Sequence, residues 1–247
     1  MATKQQTPLN HARQVLDIEL AGLKAVRSQL DGQFTTAVNI LKEALRRRNK
    51  LVVVGIGKSG NIGQKISATF NSTGATCVLL DTANALHGDI GLLEDGDVVL
   101  ALSYSGESDE LLNLLTAIKK FPVQILALTG APNSALAKLS DVVLNASVPK
   151  EACPFNLAPT ASTTAMLALG DALAMALLQA YLDNDPLRSP LSSFHLVVTA
   201  SAIPSCKTPS ALTLVSLSSP LPIFPTNPFS RISISSSSLE TIRSVCS

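Results

Sequence analysis

The sequence predicts an α/β protein: a five-stranded parallel sheet sandwiched by helices and preceded by N-terminal helices. Two observations predict it. Between about Leu51 and Ala180, short runs of Val, Leu and Ile alternate with helical patterns. Continuous β-branched runs separated by helices mark a parallel sheet covered on both faces. The first run, Leu51-Val-Val-Val, passes directly into Gly55-Ile-Gly57-Lys58-Ser59-Gly60. That is a strand, a tight turn and a helix start in succession.

Each element follows from the residue pattern. From about Leu9 to Arg48 the chain is helical: Leu16, Leu20, Leu23 and Leu30 share one face, and Ala37, Ile40, Leu41 and Leu45 form a second run. Strands are expected at Leu51–Val54, Thr76–Leu80, Val98–Leu102, Val123–Leu128 and Val142–Leu144. Helices are expected at Ile62–Asn71, Glu107–Lys120, Ser134–Lys138 and Pro159–Tyr181. Ligands of such sheets bind at the carboxyl ends of the strands, and every loop of interest here follows a strand. Residues 1–186 are assigned to this domain. The segment 187–247 is crowded with Ser and Pro, lacks Gly and has Glu240 as its only acid. Low charge, scattered Pro and no periodicity mark it as a low-complexity tail, expected to be disordered and open to protease.

Composition narrows the function. The chain has 247 residues and a net charge of +1, which argues against a nucleic-acid partner. No apolar run is expected to reach membrane-spanning length, and the N-terminus has no signal-peptide core, so a cytoplasmic protein with no membrane partner is expected. The cysteines, at 77, 153, 206 and 246, are scattered without metal spacing. Free thiols and no metal are the expectation, with Cys77 in the core.

The turn after the first strand joins free backbone N–H groups, a helix dipole and the mobile charge of Lys58. It is built to hold an anion, most often a phosphate. Gly55-Ile-Gly57-Lys-Ser-Gly60 also fits the dinucleotide fingerprint, with Asp81 where the ribose-binding acid would stand. The P-loop pattern fails, because Val52 stands where its first Gly is required. The plainest reading is a tight turn without a ligand, but a turn needs neither Lys nor Ser.

Three further loops carry candidate chemistry. Ser103-Tyr-Ser105-Gly106-Glu107-Ser108-Asp109-Glu110 sets hydroxyls and a Gly at a helix start, an arrangement that binds phosphate. One Ser alone would suffice as an N-cap, and Glu107 or Glu110 would merely oppose the dipole. The whole cluster favours a ligand. Leu86-His87-Gly88-Asp89 offers an imidazole as acid, base or hydroxyl ligand, or as a structural His. Pro149-Lys150-Glu151-Ala-Cys153-Pro154 holds a Glu in a rigid loop, where burial would raise its pKa and make it a usable base. The alternative is a surface Glu paired with Lys150. Ser162–Thr164 cap or line the next helix beside the same ligand. Cys153 is a poor nucleophile candidate, since no His stands near it in sequence.

In this order and spacing, Gly-Ile-Gly-Lys-Ser-Gly, His-Gly-Asp, Ser-Tyr-Ser-Gly-Glu-Ser, Lys-Glu-Ala-Cys-Pro and Leu-Ala-Pro-Thr-Ala-Ser-Thr-Thr resemble the sugar-isomerase (SIS) domain of D-arabinose-5-phosphate isomerases, over about residues 10–180. The resemblance implies a flavodoxin/Rossmann-like sheet and the interconversion of ribulose 5-phosphate and arabinose 5-phosphate through a cis-enediol, feeding Kdo and lipopolysaccharide synthesis. It implies no metal or organic cofactor, and a homo-oligomer, usually a tetramer. It places Lys58, His87, Glu110 and Glu151 at active-site positions. Ser103, Ser105 and Ser108 fall in the sugar-phosphate cradle, with Gly57, Ser59 and Thr163 beside them. Glu151 is the preferred base, Lys58 a stabiliser of enediolate or phosphate, and Glu110 and His87 ligands of hydroxyls or openers of the ring. Asn61 departs from the His common in the family. The competing readings are a non-catalytic sugar-phosphate sensor and a dinucleotide-dependent oxidoreductase.

The tail departs further. The family continues into Ser-His-Pro-Gly-Gly, whose His reaches the active site, and then usually into two CBS modules. Here the chain reads Phe194-His195-Leu196-Val197-Val198. Leu-Val-Val is what Pro-Gly-Gly codons yield when read one base later. The sequence therefore reads as frameshifted near His195, with the family His left in an altered context and no CBS modules expected.

Overall fold

The computed structural model describes residues 7–85 and 87–184. His195 and the 187–247 tail, with the expectations placed on them, lie outside the described residues. Two N-terminal helices come first. Helix α1 (Pro8–Gln29) begins with Pro at its first position, and the Thr7 hydroxyl accepts from the Asn10 amide. Helix α2 (Gly32–Arg46) is capped by Asp31, whose carboxylate accepts from the Gln33 amide at 2.9 Å.

The strands are β1 (Leu51–Gly55), β2 (Cys77–Leu80), β3 (Val98–Leu102), β4 (Gln124–Thr129) and β5 (Val142–Asn145). They form one five-stranded sheet in the order β2-β1-β3-β4-β5, with every pairing parallel. The chain turns from one side of β1 to the other between β2 and β3. A crevice therefore opens beyond the carboxyl ends of β1 and β3, where Gly55 is in register with Leu102.

Alternate side chains of each strand feed two cores. Leu51, Val53, Leu100 and Leu126 pack with Leu41 of α2, Ile66 and Phe70 of α3 (Gly57–Ser72), and Leu169 and Leu173 of α7 (Ala161–Asn184). Val52, Val54, Val99 and Ala127 pack on the other face with Leu111, Leu114 and Ile118 of α5 (Asp109–Ile118) and Leu136 of α6 (Ala135–Leu139). The result is the helix–sheet–helix sandwich expected from the sequence.

Three differences from the expected elements matter. Helix α3 starts at Gly57 rather than Ile62, so Gly57-Lys58-Ser59-Gly60 is the first turn of the helix and not a loop ahead of it. Gly57 has φ +56°, and a Cβ on Gly60 would lie 2.9 Å from the Gly55 carbonyl oxygen, so the turn needs glycine at both places. Second, a short helix α4 (Thr82–Ala85) and a 3-10 turn (Asp89–Leu92) fill the β2–β3 connection. Third, the expectation that no apolar run reaches membrane-spanning length is corrected by α7. Its segment Ala161–Asp183 is long and apolar enough by length and composition, with a mean hydropathy of 1.6. The helix packs against α1, α2 and α3, and Ala165, Met166, Leu169, Leu173 and Leu177 are buried there. A helix with neighbours on several sides is apolar around most of its circumference.

Candidate functional site

A cleft of about 400 Å³ lies at the carboxyl ends of β1 and β3. The first turn of α3 supplies Lys58 and Ser59 to it, Lys58 exposed and Ser59 half-buried. Ile56 stands at the N-cap of this helix and gives no side-chain cap, so the helix start keeps donors for an anion.

The β3–α5 loop supplies Ser103, Ser105 and Ser108. Gly106, at φ +67°, bends this loop so that its amide donates to Ser103 Oγ at 3.1 Å. Any Cβ on Gly106 would collide with Ser134. The hydroxyls of Ser103 and Ser108 lie 3.3 Å apart. Ser108 occupies the N-cap of α5 without capping it through its side chain. Ser105 Oγ accepts only a long contact, 3.4 Å from the Glu107 amide. The capping explanation of these serines therefore accounts for little. Glu107 is engaged elsewhere, accepting from the Ala135 amide at 2.9 Å.

The far side of the cleft is built by the loop after β5 and the start of α7, which supply Glu151, Ser162 and Thr163. Glu151 Oε2 accepts from the Thr160 amide at 2.8 Å, the Thr160 hydroxyl at 3.0 Å and the Ser162 amide at 3.2 Å. The Glu151 amide donates to Asn156 Oδ1 at 3.0 Å, which closes the loop on itself. Burial does push the Glu151 carboxyl up, but the nearby Ser162 hydroxyl and the amides of Thr160 and Ser162, with the Thr160 hydroxyl, outweigh it, and its pKa lies below the ordinary glutamate value. The expectation that burial would raise this pKa is thus corrected: donors at a helix start favour the anion more than partial burial disfavours it. Nor does the pairing with Lys150 hold. Among the described residues the ion pairs are elsewhere, at Glu43, Lys50 and Lys65.

The structure brings Lys58, Ser59, Ser103, Ser105, Ser108, Glu151 and Thr163 into one cleft. Gly57, His87 and Glu110 do not line it. His87 and Glu110 are exposed, the latter in the first turn of α5. Asp81, the candidate ribose ligand, accepts from the Ala83 and Asn84 amides at 2.9 and 3.0 Å and caps α4 instead. Cys153 is half-buried and does not line the cleft; amides of Ala158, Leu157 and Phe155 hold its pKa below the ordinary thiol value. Cys77 is a core residue, pushed up to about 11 by burial. Several lining residues, Tyr104, Val148, Asn156 and Met166 among them, were not singled out from the sequence as ligands. Tyr104 sits within the serine motif without a ligand role assigned from the sequence, yet its hydroxyl accepts from the Val148 amide at 3.1 Å and braces the loop that carries Glu151. Ser162, expected within Ser162–Thr164 to cap or line the helix beside the ligand, is wholly buried and lines the cleft.

Comparison with known proteins places this geometry. The SIS domain model matches residues 44–176. The chain is 44% identical to the arabinose 5-phosphate isomerase KdsD of Francisella tularensis over 180 residues, covering 73% of this chain and 55% of that protein. It is 46% identical to the arabinose 5-phosphate isomerase GutQ of Escherichia coli K12 over 172 residues, covering 70% of this chain and 53% of that protein. The chain thus spans about half the length of the curated relatives it matches. A solved structure, c3406 of E. coli CFT073 in complex with arabinose 5-phosphate, superposes with a TM-score of 0.65 at 34% identity, covering 68% of this chain and 88% of that one. A family model that matches residues 44–176, more than half of the chain, means that the chain belongs to the SIS domain family.

Proposed function

We propose that the chain is an aldose–ketose isomerase that interconverts D-arabinose 5-phosphate and D-ribulose 5-phosphate through a cis-enediol. The observation that carries this reading is the cleft itself. An anion-binding end, made by the α3 and α5 helix starts with Lys58, Ser103, Ser105 and Ser108, shares one cleft with a fixed, ionised carboxylate, Glu151. Two relatives that bear the name arabinose 5-phosphate isomerase support the choice of sugar.

The chemistry follows from that arrangement. The phosphate docks on the serines and the α5 start, which fixes the sugar chain. Glu151 takes the proton from C2 of the open-chain aldose while O1 gains a proton, giving the enediol. Return of the proton to C1, with loss of the O2 proton, gives the ketose. Lys58 stabilises the phosphate or the enediolate charge. The roles of His87 and Glu110, on hydroxyls or on ring opening, come from the family resemblance and not from this cleft, which neither residue lines. The reading further takes the enzyme to be a cytoplasmic homotetramer that supplies Kdo and lipopolysaccharide synthesis.

One observation favours a second reading, a sugar-phosphate binder without turnover: His87 and Glu110 do not line the cleft. The test is an isomerase assay with arabinose 5-phosphate, following ribulose 5-phosphate, run beside a variant whose reading frame is restored after His195. Turnover by the present chain supports the isomerase. Binding without turnover in the present chain supports the second reading, and turnover gained only by the restored variant assigns the missing step to the tail.

A further inference from the structure

The start of α7 carries four hydroxyl-bearing residues near the cleft, and three of the hydroxyls are committed. Thr160 Oγ1 donates to Glu151, Thr163 Oγ1 donates to the Thr160 carbonyl at 2.8 Å, and Thr164 Oγ1 donates to Glu19 at 3.1 Å. Ser162 is the exception. It is wholly buried and lines the cleft, yet among the described residues its hydroxyl has no hydrogen-bond partner. It lies near enough to Glu151 to stabilise the carboxylate, but without a bond of regular geometry. Burying an unpaired hydroxyl is costly, and a native protein that keeps one calls for an explanation.

We propose that the Ser162 hydroxyl is a substrate ligand: it binds an oxygen of the sugar chain beside the carbon on which Glu151 acts. This rests on the sugar-phosphate reading of the cleft and names a contact that reading does not contain. The chemistry limits what Ser162 takes. A hydroxyl both donates and accepts, which suits an alcohol or carbonyl oxygen. The phosphate is excluded, because the adjoining Glu151 carboxylate repels a second anion and the phosphate donors lie at Lys58, Ser103, Ser105 and Ser108. A buried partner of this kind also rejects analogues that lack the oxygen, since the hydroxyl is then left unpaired.

The test uses the full chain with Ser162→Ala and Ser162→Cys, arabinose 5-phosphate and inorganic phosphate as ligands, and calorimetry with thermal melts. The Cys variant keeps the volume and only a weak donor, and stands in if the Ala variant does not fold. Arabinose 5-phosphate is expected to bind about tenfold more weakly, the worth of one good hydrogen bond. Inorganic phosphate should bind as in the wild type. The melting temperature should change little, because the hydroxyl makes no hydrogen bond of regular geometry within the protein and its removal forfeits only its weak support of the Glu151 carboxylate. Unchanged arabinose 5-phosphate affinity in the folded variants overturns the proposal and leaves the sugar-phosphate reading standing. Equal weakening of both ligands with a lower melting temperature also overturns it, in favour of a purely structural Ser162. A wild-type chain that binds phosphate but not arabinose 5-phosphate overturns both.

Discussion

Glu151 is held as an anion by three donors from its own chain, and this fixes how it should respond to pH. Its pKa is lowered on folding. Its contribution to stability is therefore fully present above the ordinary glutamate value and is lost as pH falls through the lowered value. If it is the base, the acid limb of turnover should lie below the usual glutamate range, and a limb centred near neutrality would assign proton transfer to another group. Glu151→Gln is expected to keep the shape of the site and bind arabinose 5-phosphate, but to stop exchange of solvent tritium into C2. Native-rate exchange would remove Glu151 as the base. At the other end of the cleft, Ser105→Ala should weaken sugar-phosphate binding by ~1.5–3 kcal/mol, the range for a hydrogen bond to a charged group. Lys58 is exposed, so Lys58→Ala should have a smaller effect that fades with added salt. Titration calorimetry at two ionic strengths separates the two, and unchanged affinity in both variants would move the phosphate elsewhere. The serine cluster was legible because several hydroxyls beside a Gly exceed what capping needs. The state of Glu151 was not, because its donors come from Thr160 and Ser162, which sequence spacing does not orient.

At the scale of elements, the strands were legible nearly to the residue because each is a short run dominated by Val, Leu and Ile and bounded by polar or small residues. Helix α3 was read as starting late, since its apolar periodicity begins at Ile62 while its first turn is Gly57-Lys58-Ser59-Gly60, which carries no apolar signal. Helix α4 spans only Thr82–Ala85, too short for any period to show. Nor does periodicity reveal the buried ion pair at the amino edge of the sheet. Asp97 is fully buried, accepts from the Lys50 and Glu94 amides at 2.9 Å each, and pairs with Lys50 Nζ at 2.8 Å. It therefore ties the entry of β1 to the entry of β3. Asp97→Ala leaves Lys50 partly buried without its main partner and two amides unsatisfied, which should cost about 3–5 kcal/mol. Urea unfolding measures this, against a total stability of about 5–15 kcal/mol for a domain. The cleft lies at the opposite edge of the sheet, so the affinity of the folded variant for arabinose 5-phosphate should be unchanged. A large loss of affinity would mean that the two edges are coupled.

For the whole molecule, the outer surface of the N-terminal helix is the feature that bears on assembly. Leu9, Leu16 and Leu20 are 61%, 60% and 54% exposed on α1. The spacings of seven and four residues put them on one face of the helix. Met175 and Leu182 of α7 are exposed as well, again seven apart. Single exposed leucines are ordinary, but a stripe along a helix invites a partner. The homotetramer proposed above gives this stripe an occupant, a second copy of the chain. The double substitution Leu16→Glu with Leu20→Glu tests it. On a monomer, two outward-facing changes should each alter stability by no more than about 0.5 kcal/mol and leave the sedimentation coefficient alone. On an oligomer joined through α1, four or more buried carboxylates would face one another, and the assembly should fall to a lighter species while each chain stays folded. Sedimentation velocity with circular dichroism reads both quantities at once. A wild type that already sediments as a monomer removes the tetramer, and a variant that keeps the wild-type mass places the contact on a surface other than α1.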